Sequence, residues 1–189
     1  MIFLSGGNPS GMMSMRVSFG PAKSQVIGDP ILVELYRYWE QQCGLRLFPS
    51  RASINPADIK RCLPQTILTD VFRNPLRFRY RLVGTGVTTM LGRGELTGRW
   101  LDRSLLGEFA APLYEMYERC VETKRPVHGY GSLRALLEGR DWVTIEDIFM
   151  PLGDTDDEVT MVLVGVVQSA VDNQGVESWL IANEPLVPS

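Results

Sequence analysis

The sequence predicts an α+β fold in which antiparallel strands are accompanied by helices. Three observations carry the prediction. Five stretches have strand chemistry, short Gly-, Asp- and Pro-containing turns join them as antiparallel neighbours, and two segments repeat apolar residues at helical spacing. A chain of 189 residues, 44% hydrophobic and 22% charged, can bury one substantial core, so a single domain is expected.

Residues 1–24 are rich in Gly, Ser, Met and Pro and show no apolar period, which predicts a disordered or loosely docked tail. Met12, Met13 and Met15 are alternative candidate starts of translation. The first helix begins at "GDPILVELYRYWEQQCG", where Asp29 caps, Pro30 fits the first turn and Gly44 terminates. Ile31, Leu32, Leu35, Tyr36 and Trp39 fall on one stripe of it. "INPADIKRCLP" repeats the start signal at Asn55 and Pro56 and predicts a short helix that stops before Pro64.

"TILTDVF" (66–72), a turn at Arg73-Asn74-Pro75 and "LRFRYRLVG" (76–84) read as a hairpin. The period of two sends Arg77, Arg79 and Arg81 to one face and Phe78, Tyr80 and Leu82 to the other, toward the core. Five glycines between Gly84 and Leu106 break the chain into short helices and turns. "APLYEMYERCVETKRP" is a second amphipathic helix, with Leu113, Met116, Tyr117, Cys120 and Val121 on its stripe. Strand candidates at 126–137, 141–151 and 158–169 complete the domain, and residues 169–189 are expected to form an arm or a short helix.

Composition removes several function classes. A net charge of −3 and a pI near 5.3 argue against a protein whose main work is binding nucleic acid. Cys43, Cys62 and Cys120 are odd in number and widely spaced, so they read as reduced thiols rather than a disulfide framework or a zinc site. The longest apolar run, "MVLVGVV" at 161–167, is too short to span a bilayer, and the N-terminus lacks the basic region of a secretory signal. A cytoplasmic protein without membrane contact is the expectation.

The element order, together with "DPILVELYRYWE", "FPSRASINPADIKRCLP", "FRYRLVGTGV", "GRGELTGRWLD", "RPVHGY" and "FMPLG", resembles a family of short stand-alone bacterial PAS proteins common in alphaproteobacteria. The resemblance covers roughly residues 28–168. It implies a five-stranded antiparallel sheet with helices on one face, plus an extra N-terminal helix. It also implies a non-catalytic regulatory role, through binding a signalling kinase and gated by a small ligand. A sensor whose small organic ligand fills the space between sheet and helices is the alternative. A small enzyme or a DNA-binding protein is a weaker one. A helix ahead of a PAS sheet often packs on a second copy, so Ile31, Leu32, Leu35, Tyr36 and Trp39 are candidates for a homodimer or partner face, with closure of the stripe on the chain's own sheet as the other reading.

Within the PAS topology, Tyr80, Trp100, Tyr114, His128, Trp142 and Glu146 are the candidate pocket residues, each with core packing as its plainer reading. His128 is the single histidine, which excludes a metal site with two imidazoles. It also lies after the long helix from which haem-binding PAS proteins take their axial ligand. "GRGELTGRW" has neither the cysteine nor the asparagine of flavin-adduct PAS domains, and "GDTDDE" (153–158) lacks the ligand pattern of a calcium loop. No cofactor and no catalytic residue is therefore assigned. Glu146 lies inside the apolar stretch "VTIEDIF" and must be exposed, paired or protonated. The second strand lies at a sheet edge in this topology, so its arginines serve edge protection or, alternatively, an anion or partner site, with Asp70 as candidate ion-pair partner.

Overall fold

The computed structural model describes residues 17–21, 27–92, 94–106, 110–133 and 143–169. Helix α1 (Pro30–Cys43) forms where the sequence places it: the Asp29 side chain accepts a hydrogen bond from the Ile31 N–H, and Pro30 occupies the first turn. Gly44 stops the helix at φ 57°, a backbone conformation that side chains disfavour. The segment from Asn55 does not become a helix. Its Asn55 Oδ1 caps the Ala57 N–H, but the following bonds run mainly three residues back, and the chain passes through turns into a 3-10 turn at Leu63–Gln65.

Strands β2 (Thr66–Phe72) and β3 (Arg77–Val83) form the predicted hairpin, followed by the short helices α2 (Thr85–Leu91) and α3 (Arg103–Leu106) and the longer α4 (Ala110–Thr123). Strands β4 (Val127–Leu133), β5 (Val143–Leu152) and β6 (Met161–Ser169) complete the predicted five. A sixth strand, β1 (Val17–Pro21), lies inside the segment expected to be a loose tail and pairs antiparallel with β4. The sheet order is β1-β4-β5-β6-β2-β3, antiparallel throughout. The expected C-terminal arm lies, apart from Ser169 at the end of β6, outside the described residues.

The two helical layers sit on opposite faces of this sheet. A side chain at Gly165 would collide with Leu32 and Leu35 of α1 and with Ile148 of β5. Phe149, the next residue of β5, turns to the other face and meets Tyr117 of α4 edge-on, with ring centroids 4.9 Å apart. On that face Tyr117 also packs on Phe78, and its hydroxyl bonds that of Thr69 at 2.9 Å. Helix α3 packs against α4. The family-type helical layer and the extra N-terminal helix thus sandwich the sheet.

This arrangement places the expected partner stripe of α1 in the interior. Leu32, Leu35, Tyr36 and Trp39 are buried in the chain's own core, Ile31 is partly buried against it, and Trp39 Nε1 donates to the Pro151 carbonyl at 2.9 Å. Each such buried side chain contributes about 1.5–3 kcal/mol of transfer free energy, which is why the stripe closes on its own sheet.

One strand departs from the simple alternation. Phe78 and Tyr80 are buried as expected, but Leu82 is 45% exposed. The pairing passes from Leu68↔Leu82 to Thr69↔Tyr80, leaving Arg81 as the extra residue of a bulge. A bulge resets the in-out phase, so Leu82 turns outward.

Candidate functional site

Two adjacent carboxylates in the middle of β5 organise the candidate site. Successive strand residues point to opposite faces, so Glu146 faces α1 and Asp147 faces α4. Glu146 Oε1 accepts from the Gly28 N–H at 2.7 Å and lies 2.8 Å from His128 Nε2; Oε2 accepts from the Asp29 N–H at 2.9 Å. His128 sits opposite Ile148 on β4, which brings its ring to the same face. Both Glu146 and His128 are buried. Burial raises the Glu146 pKa, yet the bonds from His128, Gly28 and Asp29 outweigh it and hold the carboxyl below its usual value. The result is a clamp: one anion ties the two residues that lead into α1 onto the central strand of the sheet.

Asp147 has the opposite environment. Its Oδ1 is inaccessible and has no hydrogen-bond partner among the described residues. Burial, then the neighbouring Glu146 charge, pushes its carboxyl up to about 7. A Cβ at Gly129, across the strand pair, would lie 2.1 Å from Asp147 Oδ1 and 2.7 Å from Met116 Sδ, so only glycine leaves room there for the carboxyl.

Of the expected pocket residues that the structure describes, His128 and Glu146 meet, and the others lie elsewhere. Tyr80 is buried, and burial raises its hydroxyl well above the usual tyrosine value. Half-buried Tyr114 projects from α4 against Phe78 and donates to the Leu76 carbonyl. These two belong to the α4 layer. His128 and Glu146 belong to the α1 face. Trp100 lies outside both, on the edge of β3, where it bridges Arg79 and packs on Phe72. Trp142 lies outside the described residues. Asp147 is not among the candidates legible from local pattern, although "IEDI" carries a usable signal: two consecutive carboxylates in one strand cannot both point to the same side.

The arginine strip occupies the sheet edge. Asp70 bonds Arg79 at 3.2 Å and Arg81 at 3.3 Å, Arg73 bonds Glu158 at 2.9 Å, and the Arg77 guanidinium lies 3.9 Å from the Trp100 ring centroid. The outward backbone groups of Phe78 and Tyr80 are taken by Gly98, Arg99 and Leu101. Edge protection is therefore shared between a covering segment and paired charges.

Nucleophilic chemistry finds no support in the thiols. Burial pushes Cys43 and Cys62 up to about 11 and Cys120 higher still. No group of three His, Cys, Asp or Glu residues among the described residues could hold a metal ion.

A family profile described as a PAS domain matches residues 29–168, the whole span from the cap of α1 to the end of β6. This chain belongs to the PAS domain family. The PAS protein is also similar to a solved structure described as an RNA-binding light-oxygen-voltage receptor, with a TM-score of 0.52 and 13% identity. That likeness covers 89% of this chain and 42% of the receptor's, and it concerns the fold alone. Comparison with curated proteins gives no match. PAS membership supports a sensory or signalling module, and no described helix is long and apolar enough to cross a membrane.

Proposed function

We propose that this PAS protein is a non-catalytic regulatory module that binds a signalling partner, a sensor kinase, under the control of a small ligand held between the sheet and α4. The observation that carries the reading is the Glu146 clamp. It fixes the start of α1 to the same strand that faces α4, so a change in one layer reaches the helix on the other through a single peptide unit of β5. The inward stripe of α1 is covered, which leaves its outer side as the output surface. There Pro30, Val33, Arg37, Tyr38 and Gln41 line a shallow groove of mixed polarity. The kinase assignment rests on the resemblance to stand-alone bacterial PAS proteins, and the homodimer expected from the sequence is replaced as the principal use of α1.

The test is affinity capture by the full chain, followed by a phosphotransfer assay of the captured protein. Wild-type protein is expected to retain a kinase, and Arg37→Glu with Gln41→Ala, both at exposed positions of that groove, is expected to release it while the melting temperature stays within 2 °C or so, as for other surface changes. Capture that survives the double variant would assign the partner surface elsewhere. A native mass spectrum of the same preparation reads the oligomeric state and any bound small molecule.

A further inference from the structure

We infer that Asp147 is a proton-operated switch on the Glu146 clamp: while its carboxyl is neutral the clamp holds the start of α1, and when the carboxyl ionises the clamp loosens. The inference deepens the regulatory reading above. It rests on that reading for what α1 then signals, though not for the switching itself.

The surroundings of Asp147 admit a proton and little else. Its Oδ1 has no accessible surface and no donor among the described residues, and a Cβ on the facing Gly129 would stand 2.1 Å from it. An oxygen so enclosed is open to neither a water nor a ligand atom, so its charge is relieved by taking up a proton. The elements packed around it supply no cation. Strand β6 has no titratable residue and places Val166 opposite Asp147. The buried side of α4 carries Met116, Tyr117 and Cys120, and burial raises the tyrosine hydroxyl and the thiol so that both stay neutral. On β4, His128 and Tyr130 pair with Ile148 and Glu146 and therefore share the opposite face. Glu146 on β5 itself is the charge that acts on Asp147, and it adds to burial in holding the proton there.

That coupling is reciprocal. If the Glu146 charge opposes ionisation of Asp147, an ionised Asp147 opposes the Glu146 carboxylate that binds the Gly28 and Asp29 N–H groups. Drawing Gly28 and Asp29 away admits water to Glu146, and water screens the repulsion between the two anions. The burial of Asp147, on the other face, is untouched by that motion, so only the Glu146 share of its hold on the proton drives the clamp. The sign follows from which state binds the proton more tightly. The closed clamp does, so opening increases as pH rises through about 7. At the acid end the clamp fails when Glu146 itself takes up a proton, below its ordinary value. It is firmest in mildly acidic conditions.

The experiment uses the full chain. Carbon-13 NMR of the side-chain carboxyls follows Asp147 from pH 5 to pH 9. Amide hydrogen exchange at pH 6 and pH 8, corrected for the intrinsic rate, follows Gly28 and Asp29, with Val164 of β6 reporting global unfolding. Asp147 is expected to titrate near 7, and the protection of Gly28 and Asp29 to fall relative to Val164 by about fivefold, the low end of a typical coupling. Asp147→Asn should keep that protection at both pH values. Glu146→Gln, which retains an acceptor without the charge, should move the Asp147 titration to lower pH, a change that lost packing alone does not produce. Any of four results overturns the switch: Asp147 is already ionised at pH 5, protection falls only in step with Val164, Asp147→Asn loses protection as wild type does, or Glu146→Gln leaves the titration where it was. Should the pH results hold while kinase capture is equal at pH 6 and pH 8, the switch stands and its link to partner binding fails.

Discussion

At the scale of single residues, Glu146 and Asp147 show how one position along a strand decides opposite electrostatics. Glu146 has three donors and a lowered pKa; Asp147 has none for Oδ1 and a raised one. The signs differ accordingly. A carboxyl whose folded pKa lies above its unfolded value of about 3.9 binds its proton more tightly when folded, so its contribution to stability falls as pH rises from about 4 to about 7. Asp147→Asn is therefore expected to flatten that decline and to raise the melting temperature at pH 8 but not at pH 4.5, by denaturation in both buffers. Glu146 contributes above its unfolded pKa, and the contribution is lost as pH falls through its lowered folded value. Glu146→Gln leaves three donors facing a weaker acceptor and should cost about 1.5–3 kcal/mol at neutral pH, measurable by urea unfolding. A cost below 0.5 kcal/mol or so, the range of ordinary surface changes, would show that the clamp is not holding α1. The sequence made Glu146 conspicuous, whereas the isolation of Asp147 depends on what Gly129 and Met116 place around it, and neither is near it in sequence.

At the scale of elements, α1 and the β2–β3 hairpin separate what local pattern can say from what it cannot. The cap at Asp29, the stripe and the stop at Gly44 are all local, and all are seen in the sequence. Whether the stripe meets a second copy or the chain's own sheet is a non-local question, and Gly165 answers it by letting Leu32 and Leu35 approach the strand. Leu35→Ala should cost about 2–5 kcal/mol as a cavity in a packed layer, while Leu45→Ala, at a fully exposed position, should stay within about 0.5 kcal/mol. Chemical denaturation of both variants checks the contrast. In the hairpin, the alternation through Tyr80 follows from the period of two, but the bulge at Arg81 exposes Leu82 and lets Asp70 hold two arginines together. Because Arg79 and Arg81 are substantially exposed, Asp70→Asn should cost no more than about 1 kcal/mol. Its sharper effect is expected in light scattering: releasing both guanidiniums should leave solubility intact if the covering segment Gly98–Leu101 protects the edge, and lower it if the paired charges do.

At the scale of the whole molecule, a six-stranded sheet lies between α1 and α4, and a single core cluster takes in residues from both layers. Deleting residues 1–44 would uncover the face that buries Ile148 and Leu163, so the shortened chain should aggregate or lose cooperative unfolding rather than behave as a smaller PAS domain. Circular dichroism melts and sedimentation would show it, and a shortened chain that stays monomeric and cooperative would make α1 an appendage. The sequence by itself determined the α+β class, five of the six strands, both long helices and the PAS membership, because apolar period, caps and turn residues act over a few neighbouring positions. It also excluded a metal site with two imidazoles, because His128 is the single histidine. Only the tertiary structure decided that the α1 stripe is interior, that β1 joins the sheet, that Trp100 stands on the edge rather than in a pocket, and that Asp147 is the carboxyl without a partner. Each of these depends on which distant segment arrives at a given face. Burial and pairing between distant residues are properties of the assembled layers, and local sequence fixes only the surfaces offered to them.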